Sequence, residues 1–272
     1  QLMGELLYTL GHTKAVGISE DENDTGLSND AVELRLQNEL GMQTWTEIMS
    51  ALFYLTTDVT AAVRQSAFQV WKSVVSNSPR TLKKLLGELT RLCFEMFTSD
   101  SENKRTLAAR CLGELVQKLG EFVIPHVLEV LNEGLKNDDP VIRQIICIGF
   151  VQVLTNCSAS VLKSWGPQFL ESLKVSICDE NEYVRAAAAE ALTELQRRGN
   201  GDAFDSILPI LLGDLESGDA DRQHHALNGL KQIILLQGRP VINTLFMRLT
   251  TRPYTVSHLT VLQQIIPSTS KL

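Results

Sequence analysis

The sequence predicts an all-α protein built from repeated pairs of helices. Its 272 residues include only 17 glycines and 8 prolines, and aromatic residues make up 6%, which is little turn and strand material for a β protein. Apolar residues make up 44% and charged residues 21%, as in folded globular chains. One helical pattern also returns about every 40 residues, a period that is typical of HEAT and armadillo arrays.

The repeat is marked by an arginine near the start of a helix. A fifth copy, "QHHALNGLKQII", has Gln223 in place of the arginine, and the five copies are spaced by 41, 38, 42 and 38 residues. Apolar or small residues fall at positions −1, +3, +6, +7 and +10 from the arginine, which is one stripe of an amphipathic helix. The four arginine segments are "RQSAFQVWKSVV" at Arg64, "RTLAARCLGELV" at Arg105, "RQIICIGFVQVL" at Arg143 and "RAAAAEALTELQ" at Arg185.

Position +3 predicts how closely the paired helices approach. It holds alanine in four copies and Ile146 in the third, and a small side chain there lets the partner helix come near. The partner helix lies upstream each time, and we expect Pro167 and Pro209 near the starts of two such helices, where a missing N–H costs least. Each pair can bury its apolar face only by stacking on its neighbours.

The sequence therefore predicts an α-solenoid of HEAT repeats, armadillo-like, with about five helix pairs and partial repeats at both ends. The array covers residues 58–266, with second helices that start near residues 60, 102, 140, 181, 219 and 254. Residues 1–57 form a partial repeat with a first helix and an acidic loop at 11–30, and 267–272 form a tail. Because both ends interrupt the pattern, we expect the chain to be a segment of a longer solenoid.

A short polar residue stands six positions before each repeat mark. Such side chains bond to local backbone N–H groups in turns and helix caps, so we expect this residue between the paired helices. HEAT proteins use acid–arginine pairs of this kind in a ladder between repeats. We expect Asp58 near the N–H groups that begin its helix, or near Arg105 of the next repeat. The predicted ladder residues are Asp58, Arg64, Arg105, Asn137, Arg143, Asp179 and Arg185.

Catalytic chemistry has no signature in the sequence. Phosphate-binding glycine motifs and nucleophile elbows are absent, and the five cysteines include no C-x-x-C pair. We therefore predict no enzyme, cofactor, metal or small-molecule substrate. No apolar run approaches the roughly 18 residues of a membrane span, so no membrane partner is expected. The odd number of cysteines favours a reducing compartment. An enzyme on a helical scaffold stays open, since cysteine, histidine and carboxylate side chains can meet in space.

A basic cluster interrupts the acidic character of the chain. The net charge is −7, which disfavours a general nucleic-acid binder. Arg80, Lys83 and Lys84 nevertheless stand together at the start of one helix, where positive charge is disfavoured. A phosphate or acidic partner is therefore more plausible here than elsewhere, and these three residues are the candidate contact for a ribosome or another partner.

Several strings resemble one family more specifically than a general HEAT pattern does. "NSPRTLKKLL" and "AARCLGELVQKLGE" are the most specific, followed by "RQIICIGF", "VRAAAAEAL" and "LNGLKQII" through "LTTRP". In this order they resemble an internal HEAT segment of the general-control translational activators, giant proteins that stimulate the kinase of the translation initiation factor 2 alpha subunit. The likeness covers nearly the whole chain and is weakest in the acidic loop at 11–30, over residues 31–57 and in the last few residues.

The resemblance implies a cytoplasmic scaffold that links the ribosome to that kinase in the response to amino-acid starvation and ribosome stalling. It implies contacts with the ribosome, the kinase and other proteins, and no residue of the kinase contact is carried over to this chain. The alternative is a HEAT scaffold of a nuclear-transport receptor or a phosphatase complex.

Overall fold

The computed structural model describes residues 29–199 and 203–237, together with the single residues 9, 201, 247, 259 and 263. Of these residues 86% are helical and none lies in a strand, which confirms the predicted all-α class, and the helices have the HEAT-repeat arrangement. The chain divides into two compact units, Gln1–Val130 and Leu131–Leu272.

The helices of the first unit follow the predicted order of first and second helices. They are α1 (Asn29–Leu40), α2 (Met42–Leu55), α3 (Ala61–Val74), α4 (Ser78–Phe97) and α5 (Glu102–Leu119), followed by a single 3₁₀ turn (Gly120–Val123). The boundary between the units falls within α6 (Ile124–Gly134). The second unit contains α7 (Pro140–Asn156), α8 (Ala159–Ile177), α9 (Glu182–Arg198), α10 (Ala203–Leu215) and α11 (Ala220–Gln237).

Side-chain caps fix where several helices begin. The Asn77 side chain accepts from the backbone N–H of Arg80 at 3.0 Å, and the Asp139 side chain accepts from that of Val141 at 2.9 Å. A proline follows each cap within two residues, in a position where its missing N–H loses no helical hydrogen bond. Asn181 caps α9 in the same way, with its side chain 2.9 Å from the N–H of Tyr183.

The N-terminal partial repeat differs from its prediction. One first helix is expected before residue 58, and the structure has two, because Gly41 interrupts the helix with a φ of 75° that favours glycine. The acidic loop predicted at 11–30 lies outside the described residues except for its last two positions, which already belong to α1. The helix start near 254 and the tail at 267–272 also lie outside them.

The expectation that Pro167 and Pro209 stand near helix starts is wrong. Both lie inside helices, because α8 begins at Ala159 and α10 at Ala203. The Ser158 side chain accepts from the N–H of Val161 at 3.4 Å and supplies the start of α8 instead. Each interior proline removes one helical hydrogen bond, which tertiary packing must offset.

Large side chains build the core of the first unit. Trp71 of α3 is 3% exposed, and its ring centroid lies 5.2 Å from that of Phe53 in α2. The indole N–H of Trp71 donates to the Ser78 hydroxyl at 2.8 Å, so its polar atom is satisfied within the core. Trp71 stands at position +7 from Arg64, on the apolar stripe that the sequence predicts to face the core, and its burial confirms this prediction.

In one repeat of the second unit, the large residue stands on the second helix and the small residue on the first. Ile146 occupies the +3 position that is alanine in the other repeats, and it is fully buried. Gly134 at the end of α6 makes room for it, since a Cβ there would lie 2.4 Å from the Ile146 Cδ1. Phe150 packs edge-on against Phe169 of α8, with ring centroids 6.4 Å apart. The close approach predicted at +3 thus needs one small residue, on either helix.

Replacement of Trp71 by alanine is expected to lower the free energy of unfolding of the first unit by about 3–5 kcal/mol, because a large buried aromatic side chain leaves a cavity. Trp71→Phe keeps most of the volume and loses the bond to Ser78, so we expect a smaller loss. Urea unfolding followed by circular dichroism measures both, and a loss below about 1 kcal/mol for the alanine variant would contradict the described packing.

Candidate functional site

The turn between the paired helices is closed by the polar residue that the repeat pattern singles out. In all five repeats its side chain accepts a hydrogen bond from the backbone N–H two residues later, a local turn that predicts the start of the next helix. The distances range from 2.7 Å for Asp58 to 3.4 Å for Ser217. The five acceptors are Asp58, Ser99, Asn137, Asp179 and Ser217.

The repeat arginine binds the same turn from the other side. Its Nη1 donates to the backbone carbonyl of the residue six positions earlier, so the guanidinium satisfies an acceptor just after the first helix of its own repeat. The four bonds are Arg64 to Asp58 at 2.6 Å, Arg105 to Ser99 at 2.7 Å, Arg143 to Asn137 at 2.9 Å and Arg185 to Asp179 at 2.7 Å.

One ion pair joins two neighbouring repeats in the second unit. Arg143 donates from Nε to the Asp179 Oδ2 at 2.8 Å and from Nη2 to Oδ1 at 3.0 Å. The two side chains are 19% and 13% exposed, and the hydrogen bonds with Asp179 raise the pKa of Arg143. This bidentate geometry is the strong form of an arginine–carboxylate pair.

The ladder predicted from the sequence has a different direction in the structure. The arginine of this pair belongs to the earlier repeat and the acid to the later one, whereas a ladder from Asp58 to Arg105 would run from an earlier acid to a later arginine. Of the two partners expected for Asp58, the structure confirms the N–H groups at the start of its helix, since Asp58 accepts from the Thr60 N–H at 2.7 Å. Arg105 donates to the Ser99 carbonyl and not to Asp58. The Nη1 of Arg143 is already bound to the Asn137 carbonyl in the turn behind it. Its Nε and Nη2 therefore point forward, to the later repeat.

The arginine–acid pair is not repeated at the next junction of the described chain. Arg185 donates to the carbonyls of Asp179 and Glu180, both at 2.7 Å, and the residue that corresponds to Asp179 in the following repeat is Ser217. A cleft of about 520 Å³ lies at this junction. Its charged lining includes Arg143, Lys174, Asp179, Glu180, Asp214, Arg222 and His225.

Burial keeps the thiols of the second unit protonated. It raises the pKa of Cys147 and Cys157 to about 12 and that of Cys178 to about 11, so the nucleophilic thiolate is scarce at neutral pH. Among the described residues, no group of three or more His, Cys, Asp or Glu side chains is arranged to hold a metal ion. No helix in the described part of the chain is long and apolar enough to cross a membrane.

The structure divides the predicted basic cluster at the start of α4. Lys84 is engaged, because its Nζ lies 2.9 Å from the Glu33 Oε1 of α1. Glu33 is 7% exposed and also accepts from the Thr81 hydroxyl at 2.9 Å. Lys84 therefore neutralises a buried carboxylate and fastens α1 to α4.

The other two cations face outward. Arg80 and Lys83 are exposed, and three residues of separation place them on one face of α4. Lys83 Nζ lies 4.7 Å from the ring centroid of Phe122 in the 3₁₀ turn, and Phe122 is 52% exposed. We call Arg80, Lys83 and Phe122 the basic–aromatic patch.

Two features of this region are missing from the sequence prediction. No local signal marks Glu33 as the partner of Lys84, since 51 residues separate them. Phe122 also lacks a signal, because its exposure depends on how the 3₁₀ turn meets α4. The arginine-to-carbonyl bonds of the repeat turns are also absent from the sequence prediction, although the constant spacing of six residues is a signal from which they could have been inferred.

The family model Cnd1, described as non-SMC mitotic condensation complex subunit 1, matches residues 104–252, more than half of the chain. A human protein named stalled ribosome sensor GCN1 is 35% identical over 258 residues, which cover 93% of this chain and 9% of the human protein. The protein named eIF-2-alpha kinase activator GCN1 is 30% identical in Dictyostelium discoideum, over 97% of this chain and 10% of that protein. The Saccharomyces cerevisiae protein of the same name is 32% identical, over 86% of this chain and 9% of that protein.

This chain spans about a tenth of the length of these relatives. Solved structures that match this chain include one titled Kap95:Nup1 complex, with a TM-score of 0.42 and 16% identity over 98% of this chain and 35% of that one. A designed armadillo repeat protein has a TM-score of 0.35 and 14% identity, over 81% of this chain and 99% of its own.

Removal of the acid from the inter-repeat pair is expected to be costly. Asp179→Ala removes the turn bond and leaves two guanidinium donors of the half-buried Arg143 without partners, so we expect a loss of about 2–4 kcal/mol in the free energy of unfolding. Asp58→Ala is the matched control, because Asp58 has the same turn bond but no arginine–carboxylate pair, and should lose about 1 kcal/mol. Urea unfolding compares the two, and equal losses would contradict the contribution of the pair.

Ser217→Asp is expected to extend the ladder by supplying a carboxylate opposite Arg185. Because the position is exposed, we expect a gain of up to about 1 kcal/mol in the stability of the second unit, smaller at high salt. Ser217→Asn keeps the turn bond without the charge and serves as control. Thermal unfolding at two salt concentrations measures the gain, and an equal effect of both variants would exclude a new ion pair.

Proposed function

This chain belongs to the Cnd1 family of HEAT-type proteins and is a relative of the GCN1 proteins, and on this premise we propose that it is a non-catalytic docking segment of a ribosome-associated activator of an eIF-2-alpha kinase. The observation that carries the proposal is the continuous similarity, 35% identity over 93% of the chain. The names of the sequence relatives favour it over a nuclear-transport or phosphatase scaffold.

The repeat architecture supports a docking role. In a stack of repeats each one contacts only its neighbours, so a long surface forms without one large core. Such a surface can hold two large partners, here a ribosome and a kinase, which makes the role a cytoplasmic one. In this proposal the chain binds and orients these partners.

The proposal is tested by exchanging the matched segment of Saccharomyces cerevisiae GCN1 for this chain. We expect amino-acid starvation to raise phosphorylation of the initiation factor 2 alpha subunit nearly as far as in the parental strain, because the repeats present an equivalent docking surface. A second strain has the segment replaced by a flexible linker of equal length, and there we expect the response to fall at least fivefold.

The control strain carries the same chimera with Trp71→Ala, which disrupts the first unit and leaves the surface residues unchanged. It should fall between the chimera and the linker strain. A full starvation response in the linker strain would overturn the docking role, since the segment would then be dispensable. A failed response in a chimera that is expressed and folded would overturn the functional equivalence of the two segments.

A further inference from the structure

The basic–aromatic patch combines two positive charges with an exposed ring. Arg80 and Lys83 lie on one face of the first turns of α4, and the Lys83 ammonium sits 4.7 Å from the centroid of the Phe122 ring. Phe122 as a whole residue is 52% exposed. Cations beside an accessible aromatic ring are the elements with which proteins bind single-stranded nucleic acid.

The placement of these charges has no evident structural benefit. The start of a helix carries a partial positive charge, so cations there are disfavoured. Lys84 is compensated by Glu33, at 2.9 Å. Arg80 has no carboxylate partner among the residues that the structure describes, and the only described contact of the Lys83 ammonium is the Phe122 ring. The patch therefore presents uncompensated positive charge to an external anion.

The exposed ring distinguishes between two anionic partners. An acidic peptide would pair with Arg80 and Lys83 and would leave most of the Phe122 ring in water. A single-stranded RNA supplies phosphates for both cations and a base whose π-face can stack on the ring. We propose that Arg80, Lys83 and Phe122 form a contact site for single-stranded RNA. This inference deepens the proposed function and rests on it in one respect: the partner that would present such RNA is a ribosome.

The negative net charge of the chain limits how strongly this site can bind RNA. A net charge of −7 repels a polyanion at long range, so the site is local and engages few phosphates. Binding that releases about two counterions weakens only moderately as salt increases. We therefore expect weak binding at low ionic strength, with a salt dependence much shallower than that of a dedicated RNA-binding domain.

The experiment measures binding of a fluorescein-labelled oligouridylate of about 12 nucleotides, a length within the usual range of single-strand sites, by fluorescence anisotropy. The protein is the 272-residue chain. We expect Arg80→Ala with Lys83→Ala to weaken binding at least tenfold and to lower the slope of log K against log salt by about 1–2. Phe122→Ala should weaken binding at least fivefold without changing that slope, because stacking is not ionic.

Lys136→Ala with Lys163→Ala is the matched control. Both lysines are exposed and lie in the second unit, and the double variant changes the net charge by the same amount as the patch variant. It should bind RNA as the unchanged chain does, and circular dichroism checks that all variants keep their helices. Equal weakening by both double variants would overturn the proposal, because charge alone would then govern binding.

A poly-glutamate peptide with the same label separates the two partners. Tighter binding of this peptide than of RNA, dependent on Arg80 and Lys83 but not on Phe122, would overturn the RNA site in favour of an acidic protein partner. The RNA result is independent of the exchange experiment in yeast. If the chain does not bind RNA and the yeast chimera still responds to starvation, only the RNA site is overturned. If the strain with the flexible linker responds fully, the docking role is overturned, whatever the RNA measurement shows.

Discussion

The fold depends on how each turn between paired helices is closed. A polar side chain bonds to the N–H two residues later, and in four repeats an arginine six positions on donates to its carbonyl, as in Asp58 and Arg64. The two bonds fix both ends of the turn, so the second helix must leave it in one direction. Because apolar contact is not directional, the hydrophobic stripe alone could not set this angle. Helix pairs with a constant angle can then stack.

Once the Nη1 of the repeat arginine is bound to the turn, its Nε and Nη2 donors are available for a contact with the next repeat. Arg143 uses them to bind Asp179 of the following repeat, so one side chain joins two helix pairs. Arg185 has the same position but faces a repeat in which Ser217 replaces the acid. The described contacts there include the close approach of Gly229 to the Ile177 carbonyl, where a Cβ would lie at 3.1 Å, and that of the His225 Nε2 to the Glu180 Oε1, at 3.7 Å. A single substitution in a turn thus changes how two repeats are joined.

The basic residues on the surface also differ in whether the fold already uses their charge. In the cluster at the start of α4, Lys84 compensates the buried Glu33, which removes it from the candidate contacts, while Arg80 and Lys83 remain open. Three adjacent basic residues with similar sequence signals therefore have different roles. The distinction matters for function, because a charge that stabilises the fold cannot be given to a partner without cost. Phe122 lies beside Lys83, one of the two open cations, and adds an aromatic ring to the patch.

The sequence by itself determined the helical class, the repeat length and the residues that close each turn, because these depend on periodicity and on bonds between residues at most six positions apart. It also determined that Trp71 lies in the core, since the residue falls on the apolar stripe. Only the tertiary structure decided the direction of the Arg143–Asp179 pair, the partnership of Glu33 with Lys84 and the exposure of Phe122. These depend on contacts across 36 to 51 residues or on how one turn meets another helix, and no local preference encodes them. Helix starts at Pro167 and Pro209 were predicted wrongly for the same reason, because tertiary packing outweighed the local preference of proline.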